Sequence, residues 1–288
     1  MQTPGMIDGK TRVVAHLAYP SDHLRTPPLF NARCRALGLN AVLVPWQVHP
    51  DNLATVLDAL RVSESVVGVI VTIPHKETVA ALCDSLEGPA SHLGAVNIVR
   101  KDDDMTWRGR MLDGVGFVQG LDAAGHKIAE RHALLVGAGG VGVAIADALA
   151  EAGVAKLTIS NRTPERAERL ADKLRKVHTG VAISTGPADA TGFDLVVNAT
   201  SVGMNRDDPL PLDPETIAEG TIVAEVIMEP EETALLQAAA LRGAIAHQGK
   251  HMLTGQIDAF VDYLLPEIDA PRADPGTDTQ DHMEKAKR

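Results

Sequence analysis

ALLVGAGGVGVAIADALAEAGVAKLTISNRT, residues 133–163, reads as a strand, a glycine turn, a helix, a second strand and a polar loop. The apolar run 133–136 is a buried strand. Residues 141–152 are the small apolar residues of a helix packed on a sheet, Gly153 suits the position just past that helix, and 156–160 is the next strand. Gly137, Gly139 and Gly142 carry the G-x-G-x-x-G spacing. The first glycine permits the tight turn, the second lets backbone approach a pyrophosphate, and the third lets helix and strand pack closely. The helix N-terminus then offers free N–H groups and partial positive charge to phosphates. The strand before and the helix after are what separate such a fingerprint from a glycine-rich turn that binds nothing. The stretch therefore predicts a dinucleotide site built from Gly137, Ala138, Gly139, Gly140, Val141 and Gly142.

The loop that ends the stretch bears on which dinucleotide. An NAD-preferring site places an Asp or Glu about 20 residues after the glycines, against the ribose hydroxyls. Here the loop is Asn161-Arg162-Thr163, without an acid, and Arg166 follows one turn on. Arginine suits bidentate contacts to a 2′-phosphate, which favours NADP, with NAD still possible. The other reading is that Arg162 and Arg166 are solvated charges at the start of the next helix.

The chain has 288 residues, room for about two domains. Its 45% apolar and 23% charged content is that of a soluble globular protein. A net charge of −11 with no basic stripe argues against a nucleic-acid surface. Cys34 and Cys83 stand far apart, read as buried small apolar residues and suggest a reducing cytoplasm. The N-terminus has no apolar signal core, and no run of about 18 apolar residues occurs, so no membrane association is expected. The eleven histidines are scattered without ligand spacing, and no metal is expected.

Before the glycine stretch lies a separate α/β unit. After a frayed terminus over 1–10, strands are predicted at 11–17, 41–45, 66–72, 93–100 and 106–111. Helices are predicted from Thr26, as N-cap with Pro27 first in the helix, to residue 37, then over 49–61 and 76–83. The run VVGVIVT (66–72) reads as a central parallel strand buried on both faces. Asp102-Asp103-Asp104 reads as a solvated turn, and 113–124 as a linking helix. After the stretch come a helix over 164–177 with Glu165 and Arg169 at i,i+4, strands at 181–184, 194–198, 221–226 and 244–247, and a helix over 231–242. A last helix, 251–265, is placed to return to the first unit. The division expected is a substrate-binding α/β domain over 1–112 completed by 250–268, a dinucleotide-binding α/β domain of the Rossmann type over 113–249, and a mobile tail over 269–288.

Ligands of open parallel sheets sit at the carboxyl ends of the strands. That nominates residues 19–26, Thr72 to Lys76 and Asn97. Lys76 opens a helix, where the dipole disfavours a cation. An ammonium held there partly buried gives up its proton more readily and could shuttle one, with Asp113 in reach to hold it. The bland alternative is a surface lysine and an N-cap aspartate.

From about residue 15 to 265 the chain resembles the shikimate/quinate dehydrogenase family. The resemblance rests on Val71-Thr72-Ile73-Pro74-His75-Lys76 (V-T-x-P-x-K), Gly94-Ala95-Val96-Asn97, Asp113-Gly114-Val115-Gly116, the G-A-G-G run from Gly137 to Gly140, and Asn161-Arg162-Thr163. It continues through Asn198-Ala199-Thr200 with Gly203-Met204, Pro230 with Thr233, Leu235 and Leu236, and Gly249 with Met252, Leu253 and Gln256. The resemblance implies a two-domain oxidoreductase with substrate between the domains. It implies that Lys76 and Asp113 are the catalytic pair, Lys76 moving the proton of a ring hydroxyl while hydride passes to the nicotinamide. By the same resemblance Thr26, Thr72, Asn97 and Gln256 bind the hydroxyls and carboxylate of a polyhydroxylated ring. Thr200, Val226 and Gly249 join the glycines, Asn161, Arg162, Thr163 and Arg166 around NADP.

The chain departs from the family where the substrate is expected. The stretch H-S-x-S-P is here His23-Leu24-Arg25-Thr26-Pro27, so one of two hydroxyls is replaced by an apolar side chain that offers a carboxylate no donor. Ile70 stands for an Asn, Met111-Leu112 for Asn-Thr, Met228 for a Tyr, and Glu225 for an Asp. The expected activity is NADP-dependent interconversion of a ring alcohol and ketone, with shikimate and 3-dehydroshikimate as the default pair, in a cytoplasmic monomer or homodimer. The departures keep open quinate, an amino analogue of shikimate or another cyclic hydroxy acid, with NAD(H) included. A protein of another class, a dinucleotide-binding sensor without turnover, is the remaining alternative.

Overall fold

The computed structural model describes residues 7–22 and 24–266. The expectations for His23, for the first six residues and for the 269–288 tail lie outside them. The rest of the start is not frayed: Asp8 accepts from Lys10 N and from Asn40 Nδ2, both at 2.9 Å.

The first half runs β1 (Arg12–Ala18), α1 (Thr26–Ala36), β2 (Ala41–Gln47), α2 (Leu53–Arg61), β3 (Val66–Val71), α3 (Lys76–Leu82), β4 (Ser85–Leu86), α4 (Pro89–Leu93), β5 (Ile98–Lys101), β6 (Trp107–Arg110) and α5 (Asp113–Ala123). The second runs β7 (His132–Val136), α6 (Gly140–Glu151), β8 (Lys156–Ser160), α7 (Pro164–Val177), β9 (Ala182–Thr185), β10 (Leu195–Asn198), β11 (Ile222–Glu225), α8 (Ala234–Leu241), β12 (Ile245–His247) and α9 (Lys250–Leu264).

Each half builds its own six-stranded sheet. The second has the order β12-β11-β10-β7-β8-β9, with every pairing parallel. Strand order reverses at β7, so the switch point of this doubly wound sheet lies at the glycine turn. The first sheet has the order β2-β1-β3-β5-β6-β4 and is mixed: β3 is parallel to β1 but antiparallel to β5. The apolar run of β3 is thus a buried central strand, though not of a purely parallel sheet. Its free edge is blunted. At β2 the Asn31 amide accepts from Leu43 N at 2.7 Å and donates to Leu43 O at 3.0 Å, and Pro45 has no N–H to offer a further strand.

Two helices join the halves. α5 packs between α6 and α9, and its glycines allow it: a Cβ on Gly114 would lie 2.1 Å from Ala144 O, and one on Gly116 2.0 Å from Gln256 Cγ. α9 returns to the first half. Its Ile257, Phe260, Val261 and Leu264 are buried with Val14, Phe30, Cys34, Leu43, Ile70 and Ile98. Each such buried side chain contributes about 1.5–3 kcal/mol.

Several local expectations are corrected. Arg25, not Thr26, stands at the N-cap of α1, with no capping side chain; Thr26 is inside the helix and buried. The strand expected from residue 93 begins at Ile98, because Gly94 adopts a left-handed conformation (φ 72°) and closes α4 before it. The two-residue β4 and five-residue α4 are too short to leave a periodic signal. α8 starts at Ala234, capped by the Thr233 hydroxyl on Leu236 N, later than the predicted 231. On α7 the ion pairs run from Arg175 to Glu168 and Asp172 rather than between Glu165 and Arg169. Cys34 is buried but Cys83 only half-buried; burial pushes their thiols up to about 11 and about 12. Among the described residues no helix is long and apolar enough to cross a membrane.

Candidate active site

Asp113 opens α5 and Lys76 opens α3, so both side chains stand at the carboxyl edge of the first sheet. Lys76 Nζ donates to Asp113 Oδ2, with the side chains only 13% and 7% exposed. Asp113 Oδ1 accepts two further bonds, from Asn97 Nδ2 at 2.7 Å and Gln256 Nε2 at 3.1 Å. Asn97 is fixed in turn, its Oδ1 accepting from Leu112 N at 2.8 Å. Three donors thus converge on one buried carboxylate, which pins its position. The lysine is held by a charge rather than left at a helix start that disfavours it. Thr72 follows β3 half-buried and Thr26 is buried. Neither hydroxyl makes a hydrogen bond among the described residues, so both are available to a ligand.

The second cluster lies at the switch point. Gly137 has φ 111°, and a Cβ on Gly142 would lie 2.2 Å from Gly137 O, so the turn and the seating of α6 both need glycine. Around Gly139 and Gly140 a Cβ would meet nothing within 4 Å. That open approach in front of a twelve-residue helix, with Gly139 at its N-cap and no side-chain cap, is what a pyrophosphate requires. Asn161 shapes the adjoining loop, accepting from Ala138 N at 3.0 Å and donating to Thr163 O at 2.9 Å. Arg162 and Arg166 are exposed and form no ion pair among the described residues. Thr200 is pinned by Asn198, whose Oδ1 accepts from Thr200 Oγ1 at 2.6 Å and from its N at 3.1 Å. The residues present fit a phosphate-bearing dinucleotide. Among the described residues no group of His, Cys, Asp or Glu is gathered so as to hold a metal ion.

One helix ties the two clusters together. Gly249, the N-cap of α9, lies so close to the Val226–Ile227 backbone that a Cβ there would be 2.3 Å from Ile227 O. Gln256 is seven residues further along α9, about 10 Å at helical rise, and bonds Asp113. Across the opening, Arg25 before α1 pairs with Glu229 after β11. The lysine–aspartate pair and the glycine turn therefore face one cleft between the sheets.

Residues 17–99 match the family model described as shikimate dehydrogenase substrate binding domain, and 121–205 the model described as shikimate / quinate 5-dehydrogenase. A shikimate dehydrogenase (NADP(+)) of Rubrobacter xylanophilus is 40% identical over 276 residues, covering 94% of this chain and 93% of that protein. The chain belongs to the shikimate/quinate dehydrogenase family. Among solved structures, a shikimate dehydrogenase in complex with NADP+ superposes with a TM-score of 0.84 at 32% identity, over 91% of this chain and 92% of its own. The ligand-free 5-ketofructose reductase of Gluconobacter sp. strain CHM43 superposes with a TM-score of 0.82 at 27% identity, over 90% and 94%.

The departures from the family pattern divide into two kinds. Ile70 and Leu112 are buried in the cluster that holds Ile257 and Phe260 of α9. Leu24 and Met228 are half-buried and flank the Arg25–Glu229 pair at the cleft mouth. That pair escapes a reading of the sequence because 204 residues separate its members. A second unheralded feature lies behind the cleft. Asp147 Oδ1 accepts from His92 Nε2 at 2.7 Å and His178 Nε2 at 2.8 Å, linking α4 of the first half to α6 and the end of α7.

Proposed function

We propose that the protein is an NADP-dependent oxidoreductase that interconverts a ring hydroxyl and a ketone, with shikimate and 3-dehydroshikimate as its substrate pair. The observation that carries the reading is the buried Lys76–Asp113 pair facing the glycine turn across one cleft. Bound NADP supplies the hydride acceptor, or the donor in the reverse direction. Lys76 Nζ takes the proton of the reacting hydroxyl during oxidation and returns one to the ketone oxygen during reduction. Asp113 holds Nζ and accepts from a neighbouring hydroxyl, while Asn97 and Gln256 fix the carboxylate and offer their remaining polar atoms to the ring. Thr26 and Thr72 supply free hydroxyls to the substrate. Gly137 to Gly142, with Asn161, Arg162, Thr163 and Arg166, hold the phosphates, and Thr200, Val226 and Gly249 border the nicotinamide half.

In this reading the substrate domain comprises the residues up to 112 together with α9, and the dinucleotide domain comprises 113–249. The enzyme works in the cytoplasm as a monomer or homodimer, on a free small molecule. A second substrate is favoured by one observation: Leu24, half-buried at the cleft mouth, stands where the family has a hydroxyl. A cyclic or open-chain polyhydroxylated ketone without a carboxylate suits that side chain better, and the fold is shared with a 5-ketofructose reductase. NADP+ reduction assayed with shikimate, quinate and an amino analogue, and NADPH oxidation assayed with 5-ketofructose, separate these. Turnover of shikimate well above the others supports the proposal. No turnover of any of them with either cofactor overturns the substrate class, and tight NADP+ binding by calorimetry without turnover identifies a sensor.

A further inference from the structure

Glu225 is the most deeply buried acid among the described residues, at 0% exposure, and it forms no ion pair. It closes β11. Its Oε1 accepts from Asn198 Nδ2 at 2.7 Å and its Oε2 from Thr233 Oγ1 at 2.6 Å. The amide donor cannot reverse its role. Thr233 Oγ1 already accepts from Leu236 N, and Asn198 Oδ1 already accepts from Thr200, which fixes the amide so that its NH2 faces Glu225. The carboxylate accepts at both oxygens, the pattern of an ionised group. Burial pushes its carboxyl above the usual carboxylate range, and the two donors offset part of that rise. No cation compensates from the next strand: burial holds His247 on β12 neutral, down to about 4.

Its place in the sheet gives the charge an object. Asn198 pairs with both Val136 and Glu225, so Glu225 ends the strand two places from the glycine turn. Two strand spacings are about 10 Å. A dinucleotide with its pyrophosphate at Gly137–Gly142 and its 2′-phosphate at Arg162, on the β8 side, extends its other half over β10 and β11. The oxidised nicotinamide ring is a cation, and the reduced ring is neutral.

We infer that Glu225 is a buried counter-charge that strengthens binding of the oxidised nicotinamide relative to the reduced one. The inference rests on the dinucleotide reading of the glycine turn. Its consequence is that the equilibrium on the enzyme tilts toward oxidised cofactor and alcohol, which favours reduction of the ketone. Glu225 touches no reacting atom; it acts through its field.

The test is the ratio of dissociation constants for NADPH and NADP+, each measured by calorimetry on the whole chain. Glu225→Gln lowers that ratio several-fold, because the attraction between the carboxylate and the oxidised ring is lost while the neutral reduced ring is unaffected. Glu225→Asp, which keeps the charge, restores it. Thr233→Val is the second variant should the glutamine form not fold: it deletes a donor that holds the carboxyl down, so the ratio falls with acid at a higher pH than in the wild type. Equal weakening of both cofactor forms by Glu225→Gln, or an unchanged pH profile in Thr233→Val, overturns the counter-charge and leaves Glu225 a structural residue. A wild-type protein that binds neither form overturns the dinucleotide reading itself.

Discussion

Asp113→Asn keeps the shape of the side chain and removes its charge. An asparagine has one acceptor oxygen where Asp113 uses two. If that oxygen faces Asn97 and Gln256, the new NH2 confronts the Lys76 ammonium; if it is reversed, the NH2 confronts two amide donors. Either way a buried donor faces a donor. Removing one partner of a buried ion pair costs about 3–5 kcal/mol. For a chain of this size each kcal/mol lowers Tm by about 2–4 °C, so the melting temperature falls on the order of 10 °C. Proton transfer through a mispositioned lysine lowers kcat by roughly 10²–10⁴. Steady-state kinetics with NADP+ and shikimate, scanning calorimetry, and NADP+ titration together check all three effects, with cofactor affinity unchanged. A variant with wild-type kcat and wild-type Tm would refute the account of the carboxylate as the hub of the site.

Further consequences follow from the cofactor side and from the buried histidine. Arg162→Ala weakens NADP+ binding by about 1.5–3 kcal/mol, the value of a charge-assisted hydrogen bond, and leaves NAD+ binding nearly untouched; equal losses for both cofactors would contradict the 2′-phosphate assignment. Gly142→Ala places a Cβ 2.2 Å from Gly137 O, so the turn must open and calorimetric NADP+ binding should be lost, whereas wild-type affinity would show that the turn tolerates the shift. His247 titrates at about 4 in the folded protein against 6.5 in the unfolded chain. Between those values only the unfolded chain takes up the proton, so stability falls as pH drops through that window, by about 3 kcal/mol in total. His247→Leu flattens that part of the profile in denaturant unfolding measured at several pH values; an unaltered slope would assign the acid sensitivity to other groups.

The dinucleotide half was legible because its signals are local. A glycine turn, an apolar strand and a small-residue helix sit within one stretch of sequence, and β8 and α7 begin and end where periodicity and Pro164 put them. The first half was legible in its longer elements but not in β4 and α4, where no repeat is long enough to register. Its mixed character was also hidden, since an apolar run such as β3 reads alike beside a parallel or an antiparallel neighbour. Among candidate site residues, Lys76 and Asp113 could be nominated only weakly from local physics and firmly only through the family motifs. What brings them together with Asn97 and Gln256 is long-range: Gln256 reaches Asp113 across 143 residues because Gly116 lets α9 approach. The burial of Ile70 and Leu112 against α9 was hidden for the same reason. Whether an apolar side chain faces a ligand or α9 is decided by a helix more than 130 residues away in the sequence.

That Lys76 moves the proton at the reacting carbon is tested most directly by kcat of Lys76→Met in NADP+-dependent shikimate oxidation, with the NADP+ dissociation constant measured on the same preparation. The predicted result is a kcat at least about 100-fold below wild type, in the range general acid–base catalysis supplies, with cofactor affinity unchanged. Full activity in the variant would contradict the assignment.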